Sequence, residues 1–162
     1  MSYRTAVRGH PIVSVIDHPA LSLGSRVCAT YGRGALLDGA ALSRLADVTP
    51  VQPLIAVSAP YGFKKIGDEG QILQSILSAH PQSRMIFTCY SQSSAASGAF
   101  DATVEWNLRL WDLASLRLLM EEVGGVYHEA RRHRLPSGEI LYSVIAGRKV
   151  VVESLRCLIE NG

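Results

Sequence analysis

Apolar positions in the first third of the chain come in short runs separated by turn residues. Residues 12–16, 26–30 and 35–37 read as β-strands, divided by His18-Pro19, Gly32-Arg33-Gly34 and Asp38-Gly39. Asp-Gly is a strong hairpin turn, so this region predicts an antiparallel meander. From Asp47 the pattern becomes an alternation of strands and helices. Residues 53–58 predict a buried strand, and Pro60, Gly62 and Gly67 mark a loop. Asp68 is placed to cap a helix to about Ala79, with Ile72, Leu73, Ile76 and Leu77 inward and His80-Pro81 as its stop. Residues 85–88 predict a second strand, followed by a helix of small residues ending near Gly98. A third strand is expected over 102–105.

Leu113, Leu116, Met120 and Val123 recur at helical spacing. Asp112 stands at the start of that helix, where a carboxylate caps free backbone N–H groups. Gly124 can take the left-handed conformation that stops it. Val126-Tyr127 and residues 142–146 predict further strands. A last helix over 149–160 turns Val151, Leu155, Leu158 and Ile159 inward. Strands alternating with helices argue for an α/β fold with a partly parallel sheet.

Composition narrows the function classes. The chain has 162 residues, enough for one domain or a little more, and 48% are hydrophobic, ample for a packed core. A formal charge of +2 is too small to argue for nucleic acid or a membrane surface. The basic cluster Arg131-Arg132-His133-Arg134 precedes Pro136-Ser137-Gly138 and reads as a solvated turn. Cys28, Cys89 and Cys157 fit neither a zinc spacing nor a disulfide framework, so reduced thiols in a cytoplasmic protein are expected. No signal peptide or membrane-spanning run is apparent. The five histidines lack His-x-x-x-His or Cys-x-x-Cys company. Ser91, Ser93 and Ser94 near a helix start read as capping hydroxyls, with anion binding as the functional alternative.

Trp111-Asp112-Leu113-Ala114, closed by Glu122-Val123-Gly124-Gly125, resembles the C-terminal signature of the inositol monophosphatase family of metal-dependent phosphatases. Gly32-Arg33-Gly34-Ala35 with Asp38-Gly39 resembles that family's hairpin. Val144-Ile145-Ala146-Gly147 before a helix is similar to its ending. The segment Thr88-Cys89-Tyr90 and Gly98-Ala99-Phe100-Asp101 resembles the stretch before the signature helix. Its Cys-Tyr is similar to the histidinol-phosphatase-like branch, which has an acidic residue where Thr88 stands.

The resemblance implies a layered α/β carbohydrate-phosphatase-type domain over residues 46–162. Residues 1–45 would then be a partial antiparallel sheet left from the family's N-terminal phosphatase domain. It implies a Mg²⁺ cofactor with Asp112 as a metal ligand, a fitting role for a hard carboxylate beside a helix terminus. It also implies that Glu105 contacts a hydroxyl of the substrate's organic part and that Thr88 to Tyr90 line the pocket. The other reading of Glu105 is a solvent-facing carboxylate at a strand end. Asp101 matches a position with a structural role.

One departure dominates. The family's upstream Glu-Glu pair and D-P-x-D-G-[ST] motif are absent from this sequence. Asp112 alone remains of the expected ligands, and no catalytic residue that activates water can be named. The expectation is therefore the C-terminal portion of a phosphomonoesterase for a small ester of the inositol phosphate or histidinol phosphate class, inactive alone. The alternative is a non-catalytic half-protein that binds a phosphorylated metabolite or a complementary chain. In either case the exposed meander is expected to self-associate or to bind an N-terminal fragment.

Overall fold

The computed structural model describes residues 2–7, 10–20, 25–64, 66 and 69–160. Gly67 and the helix cap expected at Asp68 lie outside the described residues.

The meander is present and larger than the sequence suggests. Strands β1 (Ser2–Val7), β2 (His10–His18), β3 (Ser25–Thr30), β4 (Gly34–Leu37) and β5 (Ala40–Ala41) pair in chain order, all antiparallel. Alternation decides which side is covered. Ser14, Ile16, Val27, Ala29 and Ala35 are buried on one face. On the other, Val15 pairs with Cys28, Cys28 with Leu36, and Leu36 with Ala41, which lays an apolar row across the sheet.

The second sheet has the order β7-β6-β8-β10-β9. β6 (Ile55–Val57) is parallel to both β7 (Arg84–Met85) and β8 (Ala102–Leu108). β10 (Ile140–Gly147) is antiparallel to β8 and to β9 (Val126–Arg134). Helices α3 (Thr88–Ser97), α4 (Leu110–Leu113) and α5 (Leu116–Glu122) lie between the sheets. Helices α1 (Pro60–Lys64), α2 (Gly70–Ala79) and α6 (Lys149–Glu160) pack on the far side of the second one. One hydrophobic cluster joins Ile16, Val27 and Ala35 of the meander to Leu116, Leu119 and Met120 of α5 and to Val144 of β10. The other joins β6 and β8 to α2 and α6.

Four expectations are corrected. The signature helix is two pieces, α4 and α5. Ala114 and Ser115 between them keep right-handed helical angles, so the hydrogen-bond ladder loosens while the direction holds. The expected loop at Pro60 and Gly62 contains the short helix α1. The strand expected over 85–88 stops at Met85, because β7 is a two-residue edge strand and Thr88 opens α3. The basic cluster Arg131–Arg134 is the end of β9 and not a turn. β9 is an edge strand paired on one side, where exposed charges are tolerated and discourage pairing with another chain.

Two motifs far apart in sequence meet in space. The carboxylate of Glu122, at the end of α5, accepts the amides of Gly32 and Gly34, both at 2.7 Å. These are charge-assisted bonds to the β3–β4 hairpin, whose Gly32 and Gly34 have φ of +70° and +80°. Gly124, at φ +69°, turns the chain just after. Glu122→Gln keeps the shape but loses one acceptor. Urea unfolding should show a loss of about 2 kcal/mol; an unchanged midpoint would show that the hairpin is held otherwise. Asp101 is likewise structural, accepting Arg148 Nε at 2.8 Å and the Leu54 amide at 2.9 Å.

Candidate active site

Helices α1 and α3 start just beyond the carboxyl ends of the parallel strands β6 and β7, the edge at which open α/β sheets bind ligands. Phe87 precedes α3 in an extended conformation and gives no side-chain cap. The first amides of an α-helix have no intrahelical acceptor, so the start of α3 offers free N–H groups. Beside it is a cleft of about 220 Å³ lined by Ala59, Met85, Ile86, Phe87 and Thr88.

Glu105 lies on β8 beneath the first turn of α3 and is fully buried. The reading of a solvent-facing strand end is therefore overturned. Its Oε1 is bonded to the Ser91 hydroxyl and accepts Thr103 Oγ1 at 3.0 Å. Its Oε2 is buried without a partner. Burial pushes the Glu105 carboxyl up to about 7, opposed by the hydrogen bonds of Ser91 and Thr103 and aided by the nearby Asp112 charge. Ser91 Oγ also donates to the Thr88 carbonyl oxygen at 2.5 Å, so its one proton is shared between the two acceptors.

Asp112 is the third residue of α4, and its Oδ2 accepts the Arg109 amide at 3.2 Å. The capping role read from the sequence is thus present. Gln92 Nε2 of α3 donates to the Asp112 carbonyl at 2.8 Å, which ties α4 to α3. Glu105, Thr88 and Asp112 therefore share one end of the helix layer. Tyr90 is not with them. Residues two apart on a helix point to different sides, and the Tyr90 ring lies edge-on to His18, 5.9 Å between centroids. It lines a separate cleft of about 260 Å³ toward the meander, together with Ser93. His18 Nε2 is 2.8 Å from Ser93 Oγ there. Ser91 and Ser93 bond to carbonyls within α3, at Thr88 and Cys89, rather than cap its amides.

The residues present do not fit Mg²⁺. Among the described residues no three His, Cys, Asp or Glu side chains converge to hold a metal ion. A two-metal phosphatase needs several carboxylates around ions about 3.5–4 Å apart. Asp112 alone, already bonded to the Arg109 amide, does not provide that.

Sequence reading missed a knot beside the site. Glu69 Oε2 accepts Trp106 Nε1 at 2.8 Å and Asn107 Nδ2 at 2.6 Å, and Oε1 accepts Arg131 at 2.7 Å. Phe63 of α1 stacks on Trp106 at 5.1 Å. Glu69 sits at the N-cap of α2 yet makes no capping bond. Its partners are 37 or more residues away, and no local pattern announces them.

Comparison with known proteins agrees with this architecture. A model of the inositol monophosphatase family matches residues 5–161. A protein named inositol monophosphatase from Dictyostelium discoideum is 29% identical over 102 residues, covering 60% of this chain and 38% of its own. Inositol monophosphatase-II from Staphylococcus aureus superposes with a TM-score of 0.77 at 20% identity, covering 93% of this chain and 56% of its own. Extragenic suppressor protein suhB from Bartonella henselae gives 0.80 at 20% identity, covering 99% and 61%. The chain thus spans less than two thirds of the length of each of these relatives. Because the family match runs unbroken from the first strand to the last helix, the chain belongs to the inositol monophosphatase family.

Proposed function

We propose that this chain forms one side of a Mg²⁺-dependent phosphomonoesterase site for a small phosphate monoester of the inositol phosphate or histidinol phosphate class. The observation that carries the reading is the burial of Glu105 beneath the uncapped first turn of α3, within reach of the Asp112 charge. Free helix amides and the helix dipole suit a phosphate group. A protonated Glu105 adds no negative charge to repel it. Asp112 is the residue by which the chain joins a metal site, and the remaining carboxylates are not among its 162 residues. These residues by themselves therefore perform no hydrolysis.

The test is an amide NMR titration of the chain with inorganic phosphate. The Cys89 and Tyr90 amides should shift most, in a saturable way at millimolar concentration. Shifts confined to surface arginines such as Arg132 and Arg134 would remove the phosphate site from α3.

A further inference from the structure

The cleft of about 260 Å³ between α3 and the meander has a wall of hydroxyls. Tyr90, Ser93, Ser94 and Ser97 stand at helical spacing, so their side chains share one side of α3, and all four line this cleft. The hydroxyls differ in what they have left to offer. Ser93 donates to the Cys89 carbonyl at 3.0 Å and has His18 Nε2 at 2.8 Å. Ser97 donates to the Ser94 carbonyl at 3.1 Å, which leaves its oxygen as an acceptor. The Ser94 hydroxyl has no hydrogen-bond partner among the described residues, although the residue is only 6% exposed. Its place on the same side as Tyr90 and Ser97 directs it into the cleft. Buried polar side chains are normally hydrogen-bonded, and this one keeps both its donor and its acceptor free for a ligand.

Charge and shape narrow the ligand. None of the nine lining residues is charged at neutral pH. Burial lowers the His18 pKa, so its ring is neutral there. Ser25 Oγ donates to Asp38 Oδ2 at 3.1 Å, and a carboxylate behind the lining disfavours an anion. Opposite the hydroxyls, Val27 and Leu37 of the meander give an apolar wall. The volume lies just below the roughly 300–1,000 Å³ of pockets for drug-sized ligands, which suits a single ring.

We propose that this cleft binds a neutral ring polyol of about monosaccharide size, at a site separate from the start of α3. A ring polyol has hydroxyls that both donate and accept around its edge and C–H groups on its faces. Its hydroxyls meet Ser94 and Ser97, and a C–H face lies on Val27 and Leu37. The proposal does not depend on the phosphate reading above.

The experiment is a parallel amide NMR titration of the whole chain with methyl β-D-glucopyranoside, cyclohexanol and inorganic phosphate, without added metal. The glucoside should shift the Val27, Ser94 and Ser97 amides saturably at millimolar concentration. Cyclohexanol, a ring with one hydroxyl, should bind at least about tenfold more weakly. Ser94→Ala should weaken glucoside binding about fivefold, the loss of one hydrogen bond. Ala is the better helix former, so the variant should fold, and its spectrum checks this. Tyr90→Ala, at a half-exposed position, should weaken binding as well and gives a second reading. No saturable shift with the glucoside, equal binding of cyclohexanol, or unchanged affinity in the variants would overturn the proposal. The phosphate reading is scored separately, on the Cys89 and Tyr90 amides with inorganic phosphate.

Discussion

Stability should fall as the pH is raised from about 4 to about 8, by on the order of 3 kcal/mol, and Glu105→Gln should flatten most of that slope. The cause is a fully buried carboxyl whose folded-state value is pushed from 4.5 up to about 7. The folded state then holds a proton that the unfolded chain releases near 4.5. Below that pH both states are protonated and the contribution is complete. It is lost as the pH rises through about 7, where the folded state must either bury a charge or give up its fold. The hydrogen bonds from Ser91 and Thr103 moderate the effect, because they favour the ionised form. Gln has no proton to lose. Urea melts of both proteins across this range measure the slope. A wild-type slope that persists in Glu105→Gln would place the titrating group elsewhere. The same pH range bears on the proposed function, since an ionised Glu105 beside the α3 start repels a phosphate ester.

Much of this arrangement was legible in the sequence because it is periodic or punctuated. The meander follows from alternation and from turns at Gly32 to Gly34 and at Asp38-Gly39. The core faces of α5 and α6 follow from Leu116, Met120, Leu155 and Ile159 at helical spacing, and all four are buried. Pairing across distance was not legible. Glu122 holds a hairpin 88 residues earlier, and Glu69 holds Trp106 and Asn107. Glu69 does not differ in its local sequence from a surface glutamate, and the motif around Glu122 does not announce its partner. The basic cluster reads as a turn because Pro136-Ser137-Gly138 follows it, whereas an edge strand tolerates exposed charge equally. The resemblance implies one pocket lined by Thr88 to Tyr90, and helical geometry sends Thr88 and Tyr90 to different clefts. Asp112 was legible twice over, as a helix-start carboxylate and as part of a motif, and its capping bond to Arg109 does not by itself decide between the roles.

Asp112→Asn separates those roles. The Asn side-chain oxygen can still accept the Arg109 amide, so the fold and melting point should hardly change. As a metal ligand, the side chain loses a full negative charge. Partners one step removed from a metal cost about 10–100-fold when altered, so a direct ligand should cost on the order of a hundredfold or more. The decisive measurement is Mg²⁺-dependent hydrolysis of a phosphate monoester by the chain alone and by the chain mixed with a complementary N-terminal half bearing the Glu-Glu and D-P-x-D-G-[ST] motifs. Each is assayed with and without Asp112→Asn. The account predicts no turnover by the chain alone, turnover in the mixture, and its loss with Asp112→Asn. Robust turnover by the chain alone, or a mixture indifferent to Asp112→Asn at limiting Mg²⁺, would contradict it.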